Sequence, residues 1–89
     1  MHISVINGVI EDFNKYRGSE IQAELISADS DKIEIKFSGP FCYTCGLIDY
    51  FEDFQLLLED YTKIKFKVEN YTQVDFDTYI VDYTPIQHE

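Results

Sequence analysis

Basic residues are scarce in this chain: seven Lys and Arg stand against seventeen Asp and Glu, a formal net charge of −10. Nucleic acids and anionic membranes both bind through basic patches that displace counterions, so the composition disfavours either as a partner. No run approaches the roughly 18–20 consecutive apolar residues of a membrane span. The opening MHISVINGVIEDF has no basic segment and carries acids early, unlike a secretory signal. The only two cysteines lie in one Cys-x-x-Cys, a loop too short to staple a fold. A reducing, cytoplasmic location is therefore expected. Also missing are a Gly-rich phosphate loop, a His-Glu helix motif and a Ser-His-Asp set. Both histidines, His2 and His88, lie at the chain ends. No cofactor is expected, and an enzyme is the less favoured class.

What is present suffices for one folded domain over residues 1–89. Seven Phe and seven Tyr in 89 residues supply a single modest core, and the length is too small for two. Ile3, Ile6, Ile10, Phe13 and Tyr16 recur at helical spacing with Val9 beside them, predicting a helix over Ser4–Arg17 that Gly18 ends. Gly8 inside it costs on the order of 1 kcal/mol relative to alanine. The competing expectation is a short strand at His2–Ile6 with the helix starting at Asn7.

From Ser19 the period changes to two. Ile21, Ala23 and Leu25 alternate with polar residues, as do Ile33, Ile35 and Phe37, around the polar cluster Asp29-Ser30-Asp31. This is a β-hairpin signal, pairing Leu25 with Ile35, Ala23 with Phe37 and Glu24 with Lys36. Gly39-Pro40 ends the second strand. A second hairpin is expected from Ile64, Phe66 and Val68, turning at Asn70-Tyr71-Thr72 into Val74 and Phe76 and running on to about Tyr83. It would pair Phe66 with Phe76, Val68 with Val74, Lys67 with Asp75 and Lys65 with Asp77.

Between the hairpins, Leu47, Phe51, Phe54, Leu58 and Tyr61 share one face of a helix, with Tyr50 and Leu57 on its flank. Thr44 is a candidate N-cap. Asp49, Glu52, Asp53, Glu59 and Asp60 fall on the opposite face, and Leu56 stands in their midst. The chain thus predicts an α+β two-layer sandwich in αββ-αββ order. Its four-stranded antiparallel sheet carries both helices on one face. One shift of the chain along itself lays Ile10-Glu11-Asp12-Phe13 over Phe51-Glu52-Asp53-Phe54 and Ile33-Glu34-Ile35 over Val74-Asp75-Phe76, as an internal repeat would. The bare sheet face would then carry Gln22, Glu24, Ile26, Glu34 and Lys36. From the second hairpin it would carry Lys63, Lys65, Lys67, Asp75, Asp77 and Tyr79, the lysines answered by cross-strand acids.

Phe41-Cys42-Tyr43-Thr44-Cys45 lies between a strand and a helix start. Over this loop the local order resembles thioredoxin-like proteins, which implies a redox pair whose thiolate the helix dipole favours. Such folds place a proline later in the chain that has no counterpart here. Cys42-x-x-Cys45-Gly46 also resembles one knuckle of a zinc ribbon, with the second Cys pair missing and His2, His88 or a second copy left to complete four ligands. The structural alternative has Cys42 and Cys45 filling space beneath the helix start, among Phe41, Leu47 and Phe51.

Two functional classes follow. The first is macromolecular binding of the inhibitor, immunity or adaptor type, in which Asp49, Glu52, Asp53, Leu56, Glu59 and Asp60 meet a protein with a basic surface. The second is thiol-redox or metal chemistry at Cys42 and Cys45. The acidic excess also has a plain reading as solubility or adaptation to salt or heat. Replacing both cysteines with alanine separates the classes. The binding class expects a stability loss of about 1–3 kcal/mol from lost packing, with partner binding retained. Loss of binding in a folded double variant, measured together with metal content and free-thiol titration, would promote the second class.

Overall fold

The structure, a computed structural model, describes residues 3–17, 21–29, 31–39 and 47–86. Helix α1 (Ile3–Arg17) is followed by strands β1 (Gln22–Ala28) and β2 (Ile33–Ser38). Helix α2 (Leu47–Thr62) and strands β3 (Phe66–Asp75) and β4 (Thr78–Pro85) repeat that order. All strand pairings are antiparallel, in the spatial order β1-β2-β4-β3. The α+β sandwich with two helices over a four-stranded sheet is what the chain forms. The competing N-terminal strand is not, because helix α1 already runs from Ile3. No helix among the described residues is long and apolar enough to cross a membrane.

One core joins the two layers. Ile6, Val9 and Phe13 of α1 and Phe51, Phe54 and Leu58 of α2 meet Ala23, Ile33, Ile35, Phe37, Phe66, Val81 and Tyr83 of the sheet. At its centre Phe13, Phe37 and Phe54 are mutually edge-on, with centroids 5.4–5.5 Å apart and interplanar angles of 62–88°. That geometry sets each positive ring edge against a negative face and contributes about 0.5–1.5 kcal/mol per pair beyond burial. Three residues expected on the buried faces of the helices are not enclosed: Ile3 is 56% exposed, Tyr16 77% and Tyr61 42%. Tyr61 instead lies along α1. Its ring would come within 3.1 Å of a Cβ at position 8, so Gly8 is what lets the ring approach, and its hydroxyl donates to Asp12. Contacts from Arg17 to Asp53 and from Asp12 to Tyr61 show that the helices run antiparallel.

The first hairpin has the expected register, with Leu25 opposite Ile35, Ala23 opposite Phe37 and Glu24 opposite Lys36. Its loop is one residue longer than expected, since Ala28 pairs with Ile33. A bulge between Leu25 and Ser27 absorbs the difference. Asp29 closes the loop, its carboxylate accepting from the backbone of Asp31 and Lys32 at 2.8 Å each. Those two bonds lower its pKa.

The second hairpin differs from its expectation. Asn70-Tyr71-Thr72 is mid-strand, and the chain turns at Phe76-Asp77 instead. Phe66 pairs with Pro85, Lys67 with Thr84 and Val68 with Tyr83. The expected pairings of Phe66, Val68, Lys65 and Lys67 with residues 74–77 do not form. Bulges between Val68 and Asn70 and between Gln73 and Asp75 each reset the two-residue period, which hides the strand's true length. Tyr79 accordingly faces the helices, 6.0 Å from the Phe51 ring, and not the bare face. Lys63 is not on the sheet either. It follows α2 with φ 60°, a left-handed residue that donates to Glu59 O at 2.8 Å and closes the helix. Val74-Asp75-Phe76 lies at the hairpin tip, so it does not match Ile33-Glu34-Ile35 of β2 as the repeat alignment expected. The buried residues Ile6, Val9 and Phe13 share their spacing with Phe51, Phe54 and Leu58.

The Tyr83 hydroxyl donates to Phe51 O at 2.8 Å from within the core, tying β4 to α2. Burial pushes its pKa well above the usual phenol range, keeping it a neutral donor. Tyr83→Phe keeps the ring and deletes this bond, so urea denaturation should show a loss of about 1 kcal/mol. An unchanged midpoint would mean that the bond contributes nothing.

Candidate functional site

Helix α2 carries five acids and no Lys or Arg, and its polar face borders α1. Phe13 at the core fixes the azimuth of α1, so Tyr16 and Arg17, one turn further on, lean over α2. On α2 the residues facing them follow the same rule: Asp53, Leu56, Leu57 and Asp60. Together they line an open groove of about 630 Å³. Its apolar contribution is exposed: Leu56 is 61% accessible, and Tyr16 even more so. A smaller recess of about 370 Å³ continues along α2 past Asp49, Glu52, Asp53 and Gln55.

Arg17 stands between the two hollows and lines both. Its guanidinium pairs with the Asp53 carboxylate and lies 5.4 Å from the centroid of the Tyr50 ring, a cation–π geometry. Both partners of the ion pair are more than a third exposed, and solvent screening limits such a pair to less than about 1 kcal/mol. The groove is thus divided by a cation that is easily displaced.

The five carboxylates expected on this surface are not equivalent. Asp49 and Glu52 are exposed and make no ion pair or hydrogen bond among the described residues. Asp53 is held by Arg17, and Asp60 lies 3.8 Å from Lys63 Nζ. Glu59 turns away from the others, its Oε2 accepting from the backbone N–H of Phe66 at 2.8 Å. It fastens the start of β3 to α2. Of the five, Asp49 and Glu52 alone are thus left without a partner among the described residues.

Tyr16 and Arg17 are the groove residues that sequence reasoning misses. Periodicity alone places Tyr16 on the core face, and the one available signal is its position in the last turn of α1 beside a basic residue. At the far end of the helix pair, the hydrogen bond to Asp12 raises the Tyr61 pKa, with desolvation and the charges of Asp12, Glu11 and Asp60 adding to it. Cys42 and Cys45 lie outside the described residues, as do Thr44, Phe41, His2 and His88. Among the described residues no three His, Cys, Asp or Glu side chains group as metal ligands. Comparison with protein-family models, curated proteins and solved structures gives no match to this chain.

The division of labour among the acids is testable by chemical denaturation. Glu59→Ala leaves the Phe66 N–H without its acceptor and should cost about 1–3 kcal/mol. Asp49→Ala should stay within about 0.5 kcal/mol of the parent. Equal effects from the two replacements would contradict the assignment.

Proposed function

We propose that this chain is a binding protein whose α1–α2 groove receives a basic amphipathic helix of another protein. The observation that carries the reading is the pairing of exposed apolar side chains, Leu56 and Tyr16, with the carboxylates of Asp53 and Asp60 around one groove. An amphipathic helix laid in a groove uses apolar anchors at helical spacing for affinity. Its flanking Lys or Arg residues would meet Asp49, Glu52 and Asp60. The overall charge of −10 steers such a partner in and repels acidic competitors. Arg17 fits the same scheme, since the incoming cation takes over Asp53 at little cost. A cytoplasmic inhibitor, immunity or adaptor role is consistent with this chemistry.

The test uses a synthetic leucine–lysine peptide with its leucines on one helical face, titrated calorimetrically into the whole protein. A peptide of the same composition with scrambled order serves as control. The amphipathic peptide should bind more tightly, and raising the salt should weaken it, because exposed charges are screened within about 8 Å at physiological ionic strength. Leu56→Glu should abolish binding, and Tyr16→Ala should weaken it about tenfold, as loss of an anchor worth about 1.4 kcal/mol would. Equal binding of the scrambled peptide, or binding that survives Leu56→Glu, would defeat the proposal.

A further inference from the structure

Glu34 of β2 and Asp82 of β4 stand directly opposite each other in the central ladder of the sheet. Both point to the face away from the helices, since their neighbours Ile33, Ile35, Val81 and Tyr83 point into the core. Like charges placed opposite one another destabilise a ladder, and this pair lies on the seam between the two αββ halves.

The surrounding groups reach Glu34, but none forms an ion pair with Asp82 among the described residues. On β1, Ser27 Oγ donates to Glu34 Oε1 at 3.0 Å. Ahead of β2, Lys32 Nζ reaches Glu34 Oε2 only at 4.0 Å. Lys36 is turned to Glu24 at 3.5 Å. On β3, Lys67 is held by Glu69 at 3.0 Å, and the residue opposite Asp82 is the uncharged Asn70. Asp82 Oδ1 is enclosed and has no hydrogen-bond partner among the described residues. Two ionised carboxylates are acceptors only, so facing oxygens can bond only when one of them carries a proton.

We infer that Glu34 and Asp82 form a proton-binding site on the open face of the sheet, in which one shared proton fastens β2 to β4. Burial first, then the hydrogen bond that a protonated Asp82 would make to Glu34 and the negative charge of Glu34, raise the Asp82 pKa. Lys32 opposes the shift and Glu69 adds to it. The folded chain therefore holds a proton that the unfolded chain releases near the ordinary aspartate value of about 3.9. This group's contribution to stability is fully present below that value and is lost as pH rises through the raised one.

The test combines two measurements on the full chain. Carboxyl NMR should show Asp82 titrating above about 3.9. Thermal unfolding is then followed from about pH 4 to about pH 7 for the parent, Asp82→Asn and Asp31→Asn. Asp31→Asn makes the same change in charge in the exposed β1–β2 turn. The amide introduced by Asp82→Asn donates to Glu34 as the protonated acid does, so this variant should melt about 4 °C above the parent at neutral pH. Its pH profile should also be flatter, whereas Asp31→Asn should keep the parent's slope. Parallel profiles for the two variants would overturn the inference. So would an Asp82 that titrates at or below the ordinary value in the parent, a result that stands even if Asp82→Asn fails to fold.

Discussion

The β2–β4 ladder is the constraint on which the molecule depends. Each αββ half contributes one hairpin and one helix, and a two-stranded hairpin alone is marginal in water. Pairing β2 with β4 makes one four-stranded sheet, bringing Ile33 beside Tyr83, Ile35 beside Val81 and Phe37 beside Tyr79. Only then is there an apolar floor wide enough for both helices. Phe37 is at the centre of this floor, in ring contact with Phe13 of one half and with Phe51 and Phe54 of the other. The helix pair, and with it the groove, exists because the seam sets α1 and α2 side by side.

That dependence places the opposing features of the chain close together. The helix side of the seam is aromatic and tightly packed, while its reverse carries two acids in register. On the outer side of the helices, the same acidity that burdens the sheet borders an open groove. Glu59 shows how the two uses are separated. Its neighbours Asp60 and Asp53 stay at the groove, while its own oxygen satisfies a backbone donor of β3.

The helices and the first hairpin are legible because each keeps a single period over the residues that face the core, the bulge of β1 falling only after Leu25. Ile6, Val9, Phe13 and Phe51, Phe54, Leu58 announce their faces by spacing alone, and Ala23 and Leu25 give the correct register against Phe37 and Ile35. The second hairpin is not, for a definable reason. Bulges around Glu69 and Val74 break the two-residue period that reveals a strand. Asn70-Tyr71-Thr72 has turn-like composition, and the actual turn at Phe76-Asp77 contains no glycine. Of the candidate site, Leu56 and the acids around it can be found from one helix. Tyr16 and Arg17 cannot, since their role arises where two helices cross, and neither helix encodes that crossing by itself. Cys42 and Cys45 stay where the sequence leaves them, outside the described residues.

Exchanging β1 with β3 and β2 with β4 leaves the strand order of this sheet unchanged. The edge that β2 offers to β4 of its own chain is therefore equally suited to β4 of a second copy. What favours the internal choice is tethering: the segment between Ser38 and Leu47 keeps the two halves at a high effective concentration, which for short linkers is millimolar. Closure within one chain and exchange of halves between two are thus the same contact made under different concentrations. The length of that segment governs the balance between them, independently of anything in the core.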